Sequence, residues 1–468
     1  MMNQKPMGVL WCMGVWASPI LPYSHTPTLF PYSFIVQEEA YMENEHEKDD
    51  PQIRNPGSGR PSRLTAIRNP EMPLTGLRVL ELGQLLAGPF TSVLLAGFGA
   101  DVVKAEPPEI GDPLRTWRKM YQGTALWWYI LGRNKKCITL NLRHPKGQEL
   151  VRRLVGGGYD VVLENFRPGR MEEWGLGYEA LKAVNPRVIM VRVSGWGQTG
   201  PYAHRPGYAS VAESIGGLRY VTGYPDLAPV RTGISLGDSL AGLHAALGTL
   251  MAVYHRDTRG TGQGQVVDVA IYESVFNVME SLLPEYDMFQ HIRERAGSKL
   301  DGIVPTNTYR CQDGKYIIIG ANGDGIFKRL MTAIGRKDMA EDPRYAHNND
   351  RVAHEPEIDA VIEGWTSQRP FAVVLEILER AEVPAGPIYS IADIVNDPQY
   401  LARGMFEDVQ LPDGAKLLLP AFVPKLSETP GQTEWIGPPL GAHNEEIYKG
   451  LLGLSDDELR ALKEEKVI

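Results

Sequence analysis

The sequence predicts an α/β protein: a large domain built on a doubly wound parallel sheet, followed by a smaller α+β domain. Three observations carry the prediction. From residue 77 to residue 193 short apolar runs alternate with segments of helical period, the order that builds parallel sheets. Glycine-rich loops at 83–88 and 194–201 follow predicted strands, where open α/β sheets hold their ligands. Near residue 299 a Gly- and Asp-containing break separates this region from a new strand and new amphipathic helices.

Each element has a local reason. Residues 77–82 read as a buried strand. The loop 83–88 follows, and Pro89 suits the first turn of a helix that carries Phe90, Val93, Leu94 and Leu95. That helix stops at Gly97-Phe-Gly99, and 101–105 is the next strand, which completes a βαβ unit. A short strand at 137–140 has Arg133, Lys135 and Lys136 before it and Arg143 after it. This basic cluster is read either as a phosphate site or as a solvated surface. A helix at 145–156, a strand at 160–163, a helix at 178–184 and a strand at 187–193 continue the alternation. Another helix opens at 206–210. The glycines at 260, 262 and 264 precede the strand 266–271 instead of following one, so they read as a tight turn and not as a dinucleotide loop. Residues 272–292 read as one helix leaving the first domain. In the second domain 316–320 is a strand, and 325–334, 356–365 and 370–381 are helices. Polar loops and extended segments come next, then a helical pair near 443–452 and 455–463.

Asp238 stands before the longest helical pattern. Leu240, Leu243, Leu247, Leu250 and Val253 recur at three and four and predict one apolar face. Asp238 then falls at or near the N-cap, where a carboxylate accepting a backbone N–H contributes about 1 kcal/mol. The alternative is a carboxylate nucleophile, and the local pattern leaves both readings open.

Composition narrows the function classes. The chain has 468 residues, 43% hydrophobic and 22% charged, as globular proteins do, and its net charge of −9 argues against nucleic acid as a partner. No apolar run is long enough to predict a membrane span, so no membrane partner is expected. Cys12, Cys137 and Cys311 are far apart and lack metal-ligand spacing. They suggest a reducing compartment, and an intracellular location, cytoplasmic or mitochondrial, is expected. Residues 1–72 read as a disordered or poorly ordered extension. The apolar stretch 7–21 contains Pro19 and is preceded by only one basic side chain, Lys5, so no secretory signal is expected. No nucleophile-elbow, P-loop or metalloprotease motif occurs, and no metal site is predicted.

Several stretches, in order, resemble the family III CoA-transferases of the CaiB/BaiF, formyl-CoA transferase-like type. They include Leu86-Ala-Gly-Pro, Gly99-Ala-Asp-Val-Val-Lys-Ala-Glu-Pro-Pro, Asn134-Lys-Lys-Cys-Ile-Thr-Leu-Asn-Leu, Glu164-Asn-Phe-Arg-Pro-Gly, Gly237-Asp-Ser-Leu-Ala-Gly and Val383-Pro-Ala-Gly-Pro. The resemblance runs from about residue 74 to the C-terminus. It implies a large Rossmann-like, CoA-binding domain at 73–275 completed by 405–468, a helical linker at 276–297, and a small α+β domain at 298–390. Residues 391–468 are a linker and C-terminal segment returning to the large domain. It also implies an interlocked homodimer, acyl-CoA and a small carboxylic acid as substrates, and no permanently bound cofactor.

The resemblance places the nucleophile on Asp238, attacking an acyl-CoA thioester by way of anhydride and aspartyl-CoA intermediates. It places Gln84 as an oxyanion donor and Leu85, Leu86 and Ala87 along the thiol end of CoA. Lys136, Leu140, Arg143, Asn165 and Phe166 fall where the family contacts the rest of the coenzyme. The chain departs from the family pattern twice. Ala209 stands where many members have an acid, with Glu213 one turn on as a candidate substitute. Pro107 and Pro108 stand where some members have an arginine. The related α-methylacyl-CoA racemases carry a histidine at the position of Tyr208, so a racemase and a non-catalytic CoA-binding dimer are the competing readings.

Overall fold

Six strands form one parallel sheet. Arg78–Glu81 lies at its centre, with Asp101–Glu106 and then Lys135–Thr139 on one side and Val161–Glu164, Ile189–Ser194 and Val266–Ala270 on the other. Every pairing is parallel. The strand order therefore reverses between Arg78–Glu81 and Val161–Glu164, the Rossmann-like arrangement in which ligands bind beyond the strand ends at the reversal. The computed structural model describes residues 72–468, so the expectations for the N-terminal extension and Cys12 lie outside the described residues.

Apart from the edge strand Val266–Ala270, both faces of the sheet are buried, which is why its strands read as nearly continuous apolar runs. Successive side chains point to opposite faces. Leu80, Val103 and Val162 join one core with Leu150 and Leu154 of the helix Pro145–Gly156. Val79, Val102 and Val161 join the other, against Ala241 and Ala245 of the helix Leu236–Asp257. The C-terminal segment packs on the first face through Ile447, Tyr448, Leu462 and Val467. It also closes an open sheet edge: the Cys137 N–H donates to His443 Nδ1 at 3.0 Å, and the Thr139 N–H to Asn444 Oδ1 at 2.9 Å.

The helix Leu236–Asp257 buries a different stripe from the one expected. Gly237, Ala241, Gly242, Ala245, Ala246, Thr249 and Ala252 face the core. Leu243 and Leu247 are half exposed, at 50% and 51%. The cause is the neighbouring helix Ala87–Gly97, which comes too close for leucine: a Cβ on Gly242 would lie 3.0 Å from the Ala87 carbonyl. By length and composition the long helix could cross a bilayer, but its small-residue face is committed to this core.

The single helix expected over 272–292 is two helices, Ile271–Phe276 and Leu282–Phe289. Pro284 cannot donate a helical hydrogen bond and is tolerated only in a first turn, so the helix must restart before it. Glu280, at φ 52°, makes the break.

A third core belongs to a three-stranded antiparallel sheet of Ala385–Pro387, Tyr316–Gly320 and Thr306–Arg310. One face carries the helices Asp324–Ala333, Glu355–Thr366 and Phe371–Arg380, which bury Ile317 and Ile319 among Leu330, Ile362 and Leu378. On the other face Tyr316 and Ile318 are exposed.

Candidate active site

The strand-order reversal leaves two neighbouring loops at the carboxyl ends of the central strands. Residues 83–88 leave one strand and Asn165 and Phe166 leave the other. The Asn165 side chain ties them together. The Gln84 N–H donates to its Oδ1 at 2.8 Å, and its Nδ2 donates to the Gln84 carbonyl at 2.7 Å. Leu85 sits at φ 65°, a left-handed conformation costly for a leucine. Its N–H is held by both carboxylate oxygens of Asp112, at 3.1 and 3.2 Å.

Asp112 belongs to a buried ionic network beneath the loop. Lys104 Nζ lies 2.8 Å from Asp112 and 2.8 Å from Glu81, and it donates to the Gly83 carbonyl at 2.8 Å. Lys135 Nζ pairs with the other Glu81 oxygen at 2.8 Å. These four side chains are buried, and two cations face two carboxylates. Burial opposes the Glu81 charge, yet Lys104 and Lys135 hold its pKa down to about 2. Burial likewise works against the Lys104 ammonium, but Asp112 and Glu81 outweigh it and hold the lysine charged. The network fixes the strained loop from below.

Two adjoining cavities open above it. The first, of about 380 Å³, is lined by Gln84, Leu85, Leu86 and Ala87, by Asn165 and Phe166, and by Ala209, Arg231 and Asp238. The second, of about 680 Å³, shares Gln84, Phe166 and Arg167 with it and continues along Leu140 and Arg143. Pro107 and Pro108 form part of its wall, and Arg170 and Lys466 bring further positive charge. Phe166 meets Trp174 edge to face at 5.1 Å between ring centroids.

Asp238 is in the first turn of the helix Leu236–Asp257 and is not its cap, which is Ser235. The N–H expected for Asp238 is taken by another carboxylate. Glu213, buried on the helix Ala209–Ile215, accepts the Gly237 N–H at 3.1 Å and so does the work expected of Asp238. Among the described residues the half-buried Asp238 carboxylate accepts no hydrogen bond. Burial first and the Glu213 charge second push its pKa up to about 6, against the pull of Arg231. A carboxylate of that basicity is ionised at neutral pH and a better nucleophile than a surface aspartate. Glu213 itself is engaged by Arg231, at 2.9 Å from Nε.

The expected residues do not all meet. Gln84, Leu85, Leu86, Ala87, Asn165, Phe166 and Asp238 line the first cavity, and Leu140 and Arg143 line the second. Lys136 lines neither: it pairs with Glu446 at 2.7 Å and Asp101 at 3.5 Å. Arg133 and Lys135, read with it as a surface or phosphate cluster, are buried. The sequence reading missed Arg167, Arg170, Arg231 and Lys466 as cavity residues. Arg167 and Arg170 flank the Pro-Gly that follows Asn165-Phe166, a usable signal; Lys466 comes from the far end of the chain and has none.

The profile of CoA-transferase family III matches residues 74–444. The succinyl-CoA–D-citramalate CoA-transferase of Chloroflexus aurantiacus is 50% identical over 86% of this chain and 99% of its own. The beta subunit of the succinyl-CoA–L-malate CoA-transferase of the same organism is 41% identical over 85% of this chain and 98% of its own. A crystal structure of a CaiB/BaiF family protein from Brucella suis superposes with a TM-score of 0.71 at 37% identity, covering 81% of this chain and 99% of that one. The chain belongs to CoA-transferase family III and is a CoA-transferase.

Proposed function

We propose that the enzyme moves CoA from succinyl-CoA to a carboxylic acid through covalent intermediates on Asp238. The observation that carries this is the Asp238 carboxylate, which accepts no hydrogen bond among the described residues, in a cavity that shares Gln84, Phe166 and Arg167 with a larger, arginine-lined one. The relatives' named substrates, succinyl-CoA with D-citramalate or L-malate, support the choice of donor.

The steps balance without any redox change. An Asp238 oxygen attacks the thioester carbonyl; the C–S bond breaks, leaving a mixed anhydride and CoA thiolate. The thiolate then attacks the Asp238 acyl carbon and expels the donor acid, giving an aspartyl-CoA thioester. The acceptor carboxylate displaces the thiolate to form a second anhydride, and the thiolate attacks the acceptor carbonyl. The new acyl-CoA leaves and Asp238 is regenerated. Each exchange keeps acyl energy that hydrolysis would waste, so the site must exclude water. Leu85, Leu86, Val193 and Ile271 supply apolar wall for that purpose. Gln84, fixed through its backbone by Asn165, is the donor for the developing oxyanion. Arg143, Arg167, Arg170 and Lys466 suit the phosphates of CoA.

Among the described residues no histidine lines the first cavity, which leaves a racemase without its second acid–base group. A homodimer is part of the same proposal: Leu243, Leu247, Met251 and Tyr254 form an exposed apolar stripe on the catalytic helix that a second subunit would cover.

The test is trapping. Incubation with succinyl-CoA and hydroxylamine should yield a hydroxamate on the peptide carrying Asp238, and Asp238→Ala should abolish both adduct and transfer. Transfer retained by Asp238→Ala would remove the residue from the mechanism.

A further inference from the structure

One cation in the first cavity is held rigidly. Arg231 lines the cavity together with Asp238. Its Nε donates to Glu213 Oε2 at 2.9 Å and its Nη2 to Oε1 at 3.3 Å. Glu213 is buried and also accepts the Gly237 N–H at 3.1 Å. The guanidinium is thereby fastened to the first turn of the helix that carries Asp238. Its remaining edge is uncommitted: among the described residues Nη1 makes no hydrogen bond, and the side chain is 38% exposed. Around it, the Gly207, Tyr208, Ala209 and Ser210 stretch of the wall carries no carboxylate. Arg167 is the other cation, but it lies where the two cavities join, and among the described residues no carboxylate pairs with it to fix its position.

A guanidinium with one edge pinned and one edge free suits a carboxylate, because little side-chain entropy is left to lose when the second contact forms. In the reaction proposed above, the donor acyl group and the acceptor acid occupy the same side of Asp238 in turn, so one cation can serve both. When Asp238 becomes an anhydride its own charge disappears, and Arg231 is left facing whatever charge the substrate brings.

We infer that Arg231 is the specificity-determining residue of this site, binding the second carboxylate of dicarboxylic substrates on both the donor and the acceptor side. The inference rests on the covalent transfer reading. It differs from a purely electrostatic role for Arg231 toward Asp238, which would affect every acid alike.

Isotope exchange separates these roles with one acyl group at a time. The full-length protein is given succinyl-CoA with labelled succinate, or butyryl-CoA with labelled butyrate, which has a methyl group in place of the second carboxylate. The wild type should exchange succinate with a kcat/KM higher by about 10- to 100-fold, the range of a charged hydrogen-bonded contact. In Arg231→Met combined with Glu213→Gln, which leaves no buried carboxylate stranded, that preference should fall to within about threefold, and Arg231→Lys should restore part of it. Unchanged preference, an equal fall in both exchanges, or a collapse in Arg167→Met instead would each overturn the assignment. A wild type that exchanges neither acid would refute the transfer reading itself, an outcome distinct from lost selectivity.

Discussion

Replacing Asp238 by asparagine should stabilise the protein above pH 6 while abolishing transfer. The folded-state pKa of Asp238 is raised from 3.8 to about 6, with burial the larger cause and Glu213 the second. For an acid with a raised pKa, the unfolded chain releases its proton first. Below pH 3.8 both states hold the proton and the residue contributes nothing. Between 3.8 and about 6 the unfolded chain binds fewer protons than the folded one, so stability falls as pH rises. Above about 6 the full cost is present: a rise from 3.8 to about 6, at about 1.4 kcal/mol for each factor of ten, is about 3 kcal/mol. Asparagine removes that cost but also gives up the favourable interaction of a first-turn carboxylate with the helix dipole, about 0.3–1 kcal/mol. A net gain of about 2 kcal/mol remains. At about 2.1 cal/mol/K per residue over roughly 400 residues, this corresponds to about 2–3 °C in Tm. The assay is a pair of thermal melts, at pH 8 and at pH 4. Asp238→Asn should melt higher than the wild type at pH 8 and level with it at pH 4. A variant no more stable at pH 8, or one whose gain persists at pH 4, would show that Asp238 does not carry a buried-charge penalty.

Three further outcomes follow from the same geometry. The kcat/KM of the wild type should fall on the acid side with an apparent pKa of about 6, because the free enzyme must present Asp238 ionised; a profile flat down to pH 5 would contradict this. Asp112→Asn should destabilise by about 3–5 kcal/mol, since it leaves Lys104 and Lys135 facing Glu81 alone. The folded fraction should lose about 10- to 100-fold in kcat because Leu85 is no longer held, and urea unfolding with steady-state kinetics checks both. Gly242→Ala should cost about 1–3 kcal/mol, because its Cβ would meet Phe90 at 2.8 Å and the Ala87 carbonyl at 3.0 Å. Ala87 lines the first cavity, so activity should drop with stability; a fully active variant would mean that the two helices can separate without cost.

Most of the large sheet was legible in the sequence because its inner strands are buried on both faces and helices of clear period, such as Pro145–Gly156, follow several of them. What escaped notice escaped for identifiable reasons. Residues Thr306–Arg310 form a strand with only Tyr309 buried among its neighbours, so no apolar run marks it. The hairpin Phe406–Gln410 with Lys416–Pro420 carried a signal that went unused: Pro412-Asp-Gly lies between the strands, and Asp413 accepts the Ala415 N–H at 3.1 Å. The long helix misled for a different reason. Its leucine stripe and its Ala/Gly stripe both recur at helical spacing, and burying leucine gains more per residue. Only the neighbouring helix, which demands a close approach at Gly242, decides in favour of the small residues.

Asp238 shows why local pattern could not separate a cap from a nucleophile. A carboxylate in the first turn of a helix suits both roles, and the two compete: each backbone N–H it accepts lowers its basicity and its reactivity. The conflict is removed by a second carboxylate brought from another element. Glu213 is distant from the helix start in sequence but buried beside it, and it takes the Gly237 N–H. Asp238 keeps its lone pairs, and Glu213 adds a repulsion that makes it more basic. Glu213 would then be an uncompensated buried charge, so Arg231 pairs with it. That pairing sets a guanidinium edge in the cavity wall beside Asp238. Ala209 belongs to the same logic, since a further acid there would place a permanent third carboxylate beside Asp238 and Glu213, whose one paired cation is Arg231. Once Asp238 is acylated its charge is gone, and the second carboxylate of a dicarboxylic substrate would take the place of that charge near Arg231.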